Sequence, residues 1–114
     1  MAEELFKDGK VSGAGEYVDG DRHGRWVFYF RSGRVKAEAG YRHGQLDGDC
    51  IWYREGGGLL QKGAFRDGRQ DGFWQRWHGT GELLDEGAFD VGRKTGEWIT
   101  YAPDGTETRR RTFN

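Results

Sequence analysis

The stretch GEYVDGDRHGRWVFYFRSGRVKAE, residues 15–38, decides the fold, because its pattern recurs every 24 residues along the chain without an insertion. Self-similarity at such a period is typical of an array of one supersecondary unit. We call each set of equivalent positions a ladder. The aromatic ladders are Tyr17, Tyr41, Phe65, Phe89 and Phe113; Trp26, Cys50, Trp74 and Trp98; and Tyr29, Tyr53, Trp77 and Tyr101. They hold 12 of the 17 aromatic residues, so chance does not explain the pattern.

Each unit predicts two β-strands, at about residues 34–41 and 49–54. The second is filled with strand-forming residues, as in Cys50-Ile51-Trp52-Tyr53. Asp-Gly and Ser-Gly dipeptides, including Asp47-Gly48 and Asp71-Gly72, favour turns between strands, and no window has helical spacing. We therefore predict an all-β fold: a single elongated, twisted antiparallel meander sheet of nine or ten strands, built from tandem 24-residue β-hairpin repeats.

One repeat domain, 1–114, is expected. It divides into a half-repeat 1–14, repeats 15–38, 39–62, 63–86 and 87–110, and a terminal stub 111–114. A sheet without a second layer has to make its core from its own side chains. The ladder of Gly15, Ala39, Gly63 and Gly87 is small throughout, so we expect aromatic rings to lie over it. Each ring would bury about 150–250 Å².

Composition narrows the classes of function. The net charge is −1, and the pI of about 6.3 does not favour binding to nucleic acid or to a membrane surface. One cysteine cannot form an internal disulfide, which favours a reducing compartment. The acidic start Glu3-Glu4 lacks the apolar region of a signal peptide. These features together predict a cytoplasmic location.

No catalytic or metal site is expected. His23, Asp47 and Asp71 occupy one ladder, but equivalent residues lie two strands apart, roughly 9–10 Å at the usual strand spacing, too far to share an ion. His23 and His43 are interpreted as turn residues. Cys50 fills a tryptophan position and is interpreted as a small buried hydrophobe. We therefore predict that the protein is not an enzyme and has no cofactor.

Residues that break the repeat are the candidate binding residues. Two ladders are aromatic only in the first half of the chain: Phe28, Trp52, Arg76 and Thr100; and Phe6, Phe30, Arg54, His78 and Ala102. We predict a partner-binding patch of Phe28, Phe30, Trp52, Arg54, Arg76 and His78, since aromatic residues and arginine dominate protein interfaces. The alternative is that the first three rings cap the array or pack against Trp26.

The stretch Gly15-Glu16-Tyr17-Val18-Asp19-Gly20-Asp21-Arg22-His23-Gly24-Arg25-Trp26 resembles a MORN repeat, in the variant common among bacterial antitoxin and immunity proteins. It departs from the MORN pattern at Trp26 and Gly13, where a glycine and a tyrosine are expected. The resemblance covers nearly the whole chain. It implies a β-hairpin sheet, no cofactor and a protein partner such as a toxin. The alternative is a structural module that self-associates as a homo-oligomer.

Overall fold

In the computed structural model, which describes residues 1–114, the chain forms ten β-strands in one sheet. The strands are β1 (Ala2–Leu5), β2 (Val11–Val18), β3 (Asp21–Tyr29), β4 (Val35–Arg42), β5 (Gln45–Tyr53), β6 (Leu59–Arg66), β7 (Arg69–Trp77), β8 (Leu83–Asp90), β9 (Arg93–Tyr101) and β10 (Glu107–Phe113). Their order in space is their order in sequence, and every neighbouring pair is antiparallel. Strands β1 and β10 do not pair, so the sheet stays open. The prediction of a single antiparallel meander is confirmed.

The molecule measures 44 × 30 × 16 Å, close to the dimensions of one elongated layer. No helix in the structure is long and apolar enough to cross a membrane.

Two-residue turns join β2 to β3, β4 to β5, β6 to β7 and β8 to β9. Both residues of each turn have positive φ: Asp19 and Gly20, His43 and Gly44, Asp67 and Gly68, and Val91 and Gly92. This is the type I′ geometry that matches the twist of a hairpin. The interpretation of His43 as a turn residue is confirmed.

Longer turns close the opposite edge of the sheet. In the first complete unit the backbone N–H of Phe30 donates to the carbonyl of Arg34, and that of Gly33 donates to the carbonyl of Phe30. The same pair of hydrogen bonds begins at Phe6, Arg54, His78 and Ala102. The ladder that starts at Phe6 therefore lies in these turns.

Three of the expected turn positions are wrong. Asp47-Gly48 and Asp71-Gly72 lie inside β5 and β7, not in turns, and His23 lies inside β3. Gly48 does take the positive φ that its sequence favours, at 84°. It uses that conformation in a β-bulge, where the pairing of β4 with β5 shifts between Ala39 and Tyr41. A local preference for positive φ suits a turn and a bulge equally, so only the strand pairing decides between them.

The core lies on one face of the sheet. Its buried apolar side chains are Trp26, Ala37, Ala39, Cys50, Trp74 and Trp98. Ala39 is paired with Trp26 on one side and with Cys50 on the other, and directly opposed residues in antiparallel strands project from the same face. We call this side the aromatic face.

Candidate binding groove

Tryptophan rings lie directly over glycine along the aromatic face. A Cβ atom at Gly15 would lie 2.5 Å from the ring of Trp26, and at Gly63 and Gly87 it would come closer still to Trp74 and Trp98. No real Cβ atom fits at such distances, so glycine is required under each ring. The expectation that rings cover this ladder is confirmed at Gly15, Gly63 and Gly87, and at Ala39 the equivalent side chain is Cys50.

The three tryptophans share one environment. The indole N–H of Trp26 donates to the carbonyl of Glu16, that of Trp74 to Ala64 and that of Trp98 to Ala88, each at 3.0 Å. A buried indole N–H without an acceptor would be costly. The repeat therefore places both the glycine and the acceptor for each ring.

Further rings extend these contacts across the sheet. The centroid of Tyr17 lies 5.1 Å from that of Trp26, Phe65 lies 5.2 Å from Trp74, and Phe89 lies 5.1 Å from Trp98, each edge to face. Edge-to-face pairs at this separation stabilise beyond the area they bury. The Tyr17 ladder and the Trp26 ladder thus form one aromatic surface.

One cross-strand row on this face breaks the repeat, and we call it the variable row. In order across the sheet it contains Glu4, Gly13, Phe28, Ala37, Trp52, Gln61, Arg76, Asp85, Thr100 and Arg109. After Glu4, the first half of the row is apolar, from Gly13 to Trp52. The second half, from Gln61 to Arg109, is polar and charged. The row begins with a carboxylate and ends with a guanidinium.

The apolar half of the variable row borders a groove of about 380 Å³. Phe28 and Trp52 lie on either side of Ala37, and Phe6 and Tyr41 contribute to the walls. Phe28 also stacks on Trp26, with centroids 6.0 Å apart, and Trp52 stacks on Trp74 at the same distance. Both rings therefore pack on the core and remain partly exposed at the groove.

The polar half is closed by an ion pair. Two nitrogens of Arg76 donate to the two carboxylate oxygens of Asp85, at 2.9 and 2.5 Å. Asp85 is 6% exposed, and these hydrogen bonds raise the pKa of Arg76. A second groove of about 270 Å³ lies here, between Trp74, Phe89 and Trp98. Arg76 therefore belongs to a charged groove, apart from the aromatic one.

Phe30, Arg54 and His78 lie in the longer turns, away from the strand positions of the variable row. Arg54 donates to the carbonyl of Trp77 at 2.9 Å, and the Nε2 of His78 is 2.8 Å from the carbonyl of Tyr101. The side chains of Arg54 and His78 thus each connect one hairpin to the next. Of the six predicted binding residues, the structure brings Phe28 and Trp52 together and places the other four elsewhere.

Hydrogen bonds also connect neighbouring hairpins at the side of the sheet that carries the two-residue turns. The backbone N–H groups of Asp67 and Val91 donate to the carboxylates of Asp47 and Asp71, at 3.3 and 3.0 Å. His23, the third member of that ladder, instead lies beside His43, with ring centroids 5.7 Å apart. Asp47 and Asp71 therefore hold the next short turns in place.

A polar network that sequence reasoning missed closes the N-terminal end of the groove. Arg22 forms two hydrogen bonds to the carboxylate of Glu4, at 2.5 and 3.1 Å, and Tyr17 donates to the same group at 2.5 Å. Arg22 lowers the pKa of Glu4, and the bond to Glu4 raises the pKa of Tyr17. The signal in the sequence was Glu4 at the position that Phe28 and Trp52 occupy in later units.

The guanidinium of Arg22 also covers three rings. It lies 5.2 Å from the centroid of Trp26, 4.9 Å from that of Phe28 and 5.3 Å from that of Tyr41. These cation–π contacts help to hold the guanidinium at the groove.

Cations without carboxylate partners gather at the other end. Lys94, Arg109 and Arg111 line a small groove of about 100 Å³ beside Trp98 and Phe113. The Lys94 ammonium is 4.5 Å from the centroid of Trp98. None of the three forms an ion pair, so this end of the aromatic face is positively charged.

Cys50 behaves as a core residue. Its side chain is 1% exposed, and burial raises the pKa of its thiol. A thiol that stays protonated is a weak nucleophile. The interpretation as a small buried hydrophobe is confirmed.

Comparison with protein-family models gives no match, and comparison with curated proteins gives none either. Among solved structures, one chain in the crystal structure of a GtfA/B complex bound to UDP and GlcNAc is similar at 14% identity and a TM-score of 0.45. The similarity covers 98% of this chain and 26% of that chain, so this chain spans about a quarter of its length. A likeness this weak carries no conclusion.

Proposed function

We propose that this protein is a non-catalytic binding protein that holds a partner protein against Phe28 and Trp52. The supporting observation is the variable row, where the repeat changes from aromatic to charged residues while the neighbouring ladder keeps a ring at Trp26, Trp74 and Trp98. The two partly exposed rings border a groove, and aromatic rings are common anchors of protein interfaces.

The proposed partner is a toxin-like protein, and the mechanism is steric occlusion. The resemblance to the MORN variant of bacterial antitoxin and immunity proteins supports this choice. A sheet held by rings over glycine in three of its four units suits the task, because a preorganised surface loses little entropy on binding. Arg22 and Tyr41 at the groove offer a fixed donor and hydroxyl beside the apolar anchors.

The test is co-purification of the protein with the products of its neighbouring genes, followed by titration of any retained product. Phe28→Ala with Trp52→Ala should weaken binding by at least about a hundredfold, since each anchor contributes about 1.4 kcal/mol or more. Thermal unfolding of the double variant checks that it remains folded.

Phe73→Ala is the matched control. Phe73 is 57% exposed and lies on the opposite face, where it borders a separate groove with Ile51 and Tyr53. Its loss should leave the affinity unchanged. The proposal fails if no neighbouring product is retained, or if Phe73→Ala costs as much as the double variant.

A further inference from the structure

The two outer strands of the sheet have unused hydrogen-bonding edges. Strand β1 pairs only with β2, and β10 pairs only with β9. Such an edge presents a row of free N–H and C=O groups that can pair with another strand. The question is which strand fits each edge.

The alternation of strand types along the repeat indicates which strand fits each edge. Strands β3, β5, β7 and β9 carry the Trp26 ladder, and β2, β4, β6 and β8 carry the Gly15 ladder; the two types alternate across the sheet. By sequence position, β10 is of the Gly15 type and β1 is of the Trp26 type. A strand following β10 in the same pattern would therefore be of the type of β1.

The register of such a contact follows from the pairs inside the sheet. The pairs Ala37 with Trp52, Glu38 with Ile51, and Ala39 with Cys50 join β4 to β5. Moved along the ladders, the first pair becomes Arg109 with Glu4 of a second copy. The other two become Arg110 with Glu3 and Arg111 with Ala2 of that copy.

These pairs match in charge and in size. Arg109 and Arg111 have no carboxylate partner within the chain, and Glu4 and Glu3 are acidic. Within the sheet a bulky ring on one strand faces a small residue on the next. At the junction the large side chain, Arg111, lies on β10 and the small one, Ala2, lies on β1. One large side chain therefore again faces one small side chain.

We propose that β10 of one molecule pairs with β1 of a second molecule, head to tail. This contact continues the ten-strand sheet and joins the variable row of one copy to that of the next, Arg109 to Glu4. It goes beyond the proposed binding function, because it uses the sheet edges and leaves Phe28 and Trp52 free.

The contact is heterologous, so it generates open chains of molecules, or a ring where the rotation between copies closes. It is also small, involving one four-residue strand, and interfaces of less than about 800 Å² are weak. Arg110 is already paired with Glu97 and Glu107, and Glu4 is already paired with Arg22, so each of the two charge pairs at the junction adds only a small attraction. Association should therefore depend on both concentration and salt.

The test is sedimentation velocity of the 114-residue protein from about 10 µM to about 1 mM, a range chosen for a weak interface. At low salt the average mass should rise with concentration, and at about 1 M salt, where charges are screened, it should return to that of a monomer. A monomer throughout the range at low salt overturns the proposal.

Charge-reversed variants test the register. Arg109→Glu with Arg110→Glu should be monomeric, and so should Glu3→Arg with Glu4→Arg. An equimolar mixture of the two should associate again, because each acidic edge then meets a basic one. Glu3→Arg alone serves as a second variant, since it leaves the bonds between Glu4 and Arg22 intact; it should weaken association and regain it when mixed with Arg110→Glu.

Arg42→Glu with Arg69→Glu is the control for net charge, because both residues lie on interior strands. This variant should associate as the wild type does. If it is monomeric, or if the mixture of reversed variants stays monomeric while the wild type associates, the head-to-tail register is wrong.

Discussion

The second and third hairpin units place different residues at the same two positions. The second unit has Ala39 with Cys50, and the third has Gly63 with Trp74. In the third unit the ring leaves no room for a Cβ atom on the glycine beneath it. In the second, the small thiol lies where the ring would be, and alanine is accommodated with 2% exposure.

The residues at the two positions thus vary together, as they must if their side chains fill one shared space in the core. Interiors are close-packed, so a larger group at one position needs a smaller group at its neighbour. The unit of stability in this sheet is therefore the pair, and not the tryptophan alone. Substitutions at these two positions in the second and third units test the comparison, and substitutions at other departures from the repeat extend it.

The largest effect is expected from removing the ring itself. Trp74→Ala should lower the free energy of unfolding by about 3–5 kcal/mol, because a 3% exposed ring leaves a cavity. Cys50→Ala, at the equivalent position, should cost about 1 kcal/mol, in proportion to the smaller group removed. Urea unfolding measures both. Equal losses would show that the two positions do not differ in packing.

The second effect comes from placing a ring over the wrong neighbour. Cys50→Trp alone should destabilise the protein by about 1–3 kcal/mol, since the ring meets the Cβ atom of Ala39 and overpacks the core. Adding Ala39→Gly should recover most of that loss. A double-mutant cycle by urea unfolding gives the coupling energy, and independent, additive effects of the two substitutions would contradict the pairing.

A smaller effect is expected in the short turns, where the last unit departs from the third. Val91 adopts φ of 42° at a position that Asp67 occupies with φ of 48°. A β-branched residue is strained in this region, so Val91→Asn should stabilise the protein by about 1 kcal/mol. Asp67→Asn should change little. An unchanged or lower melting temperature for Val91→Asn would show that the valine is not strained.

The smallest effect is expected from the ion pair of Glu4 with Arg22, at the start of the variable row. The pair of Arg76 with Asp85 lies on the same row in the third unit. Arg22 lowers the pKa of Glu4 below its usual 4.5, so the pair stabilises the fold fully above that pH. This stability is lost as the pH falls through the lowered pKa. Glu4→Gln should reduce the loss on acidification by less than about 1 kcal/mol, since the pair is partly exposed.

Glu55→Gln, at an exposed turn residue, is the control and should leave the acid dependence as it is. Unfolding followed at several pH values between about 7 and 3 separates the two variants, because the usual pKa of glutamate lies within this range. Identical curves for Glu4→Gln and the wild type would show that the pair adds nothing to stability.

Much of the fold could be predicted from the ladders. The rings over Gly15, Gly63 and Gly87, the order of the strands and the turn at His43 all follow from a period that repeats without insertion. The bulge at Gly48 could not be predicted, because positive φ suits a bulge and a turn alike. The meeting of Glu4 with Arg22 could not be predicted either, since it depends on where two long side chains turn once the strands have paired.

The candidate site was predicted in part. Phe28 and Trp52 were found because they interrupt a ladder, and their cross-strand neighbour Ala37 brings them to one groove. Phe30, Arg54 and His78 interrupt a second ladder, but that ladder lies in the turns, where the side chains of Arg54 and His78 bind backbone carbonyls.

By itself, the sequence determined which residues recur, and therefore the hairpin, the meander and the match of each ring to a small residue. These are properties of spacing, and a period of 24 residues repeats them without regard to distant parts of the chain. The tertiary structure alone decided which departures from the repeat share a face. Strand pairing and bulges set the register, and a shift of one residue moves a side chain to the other side of the sheet.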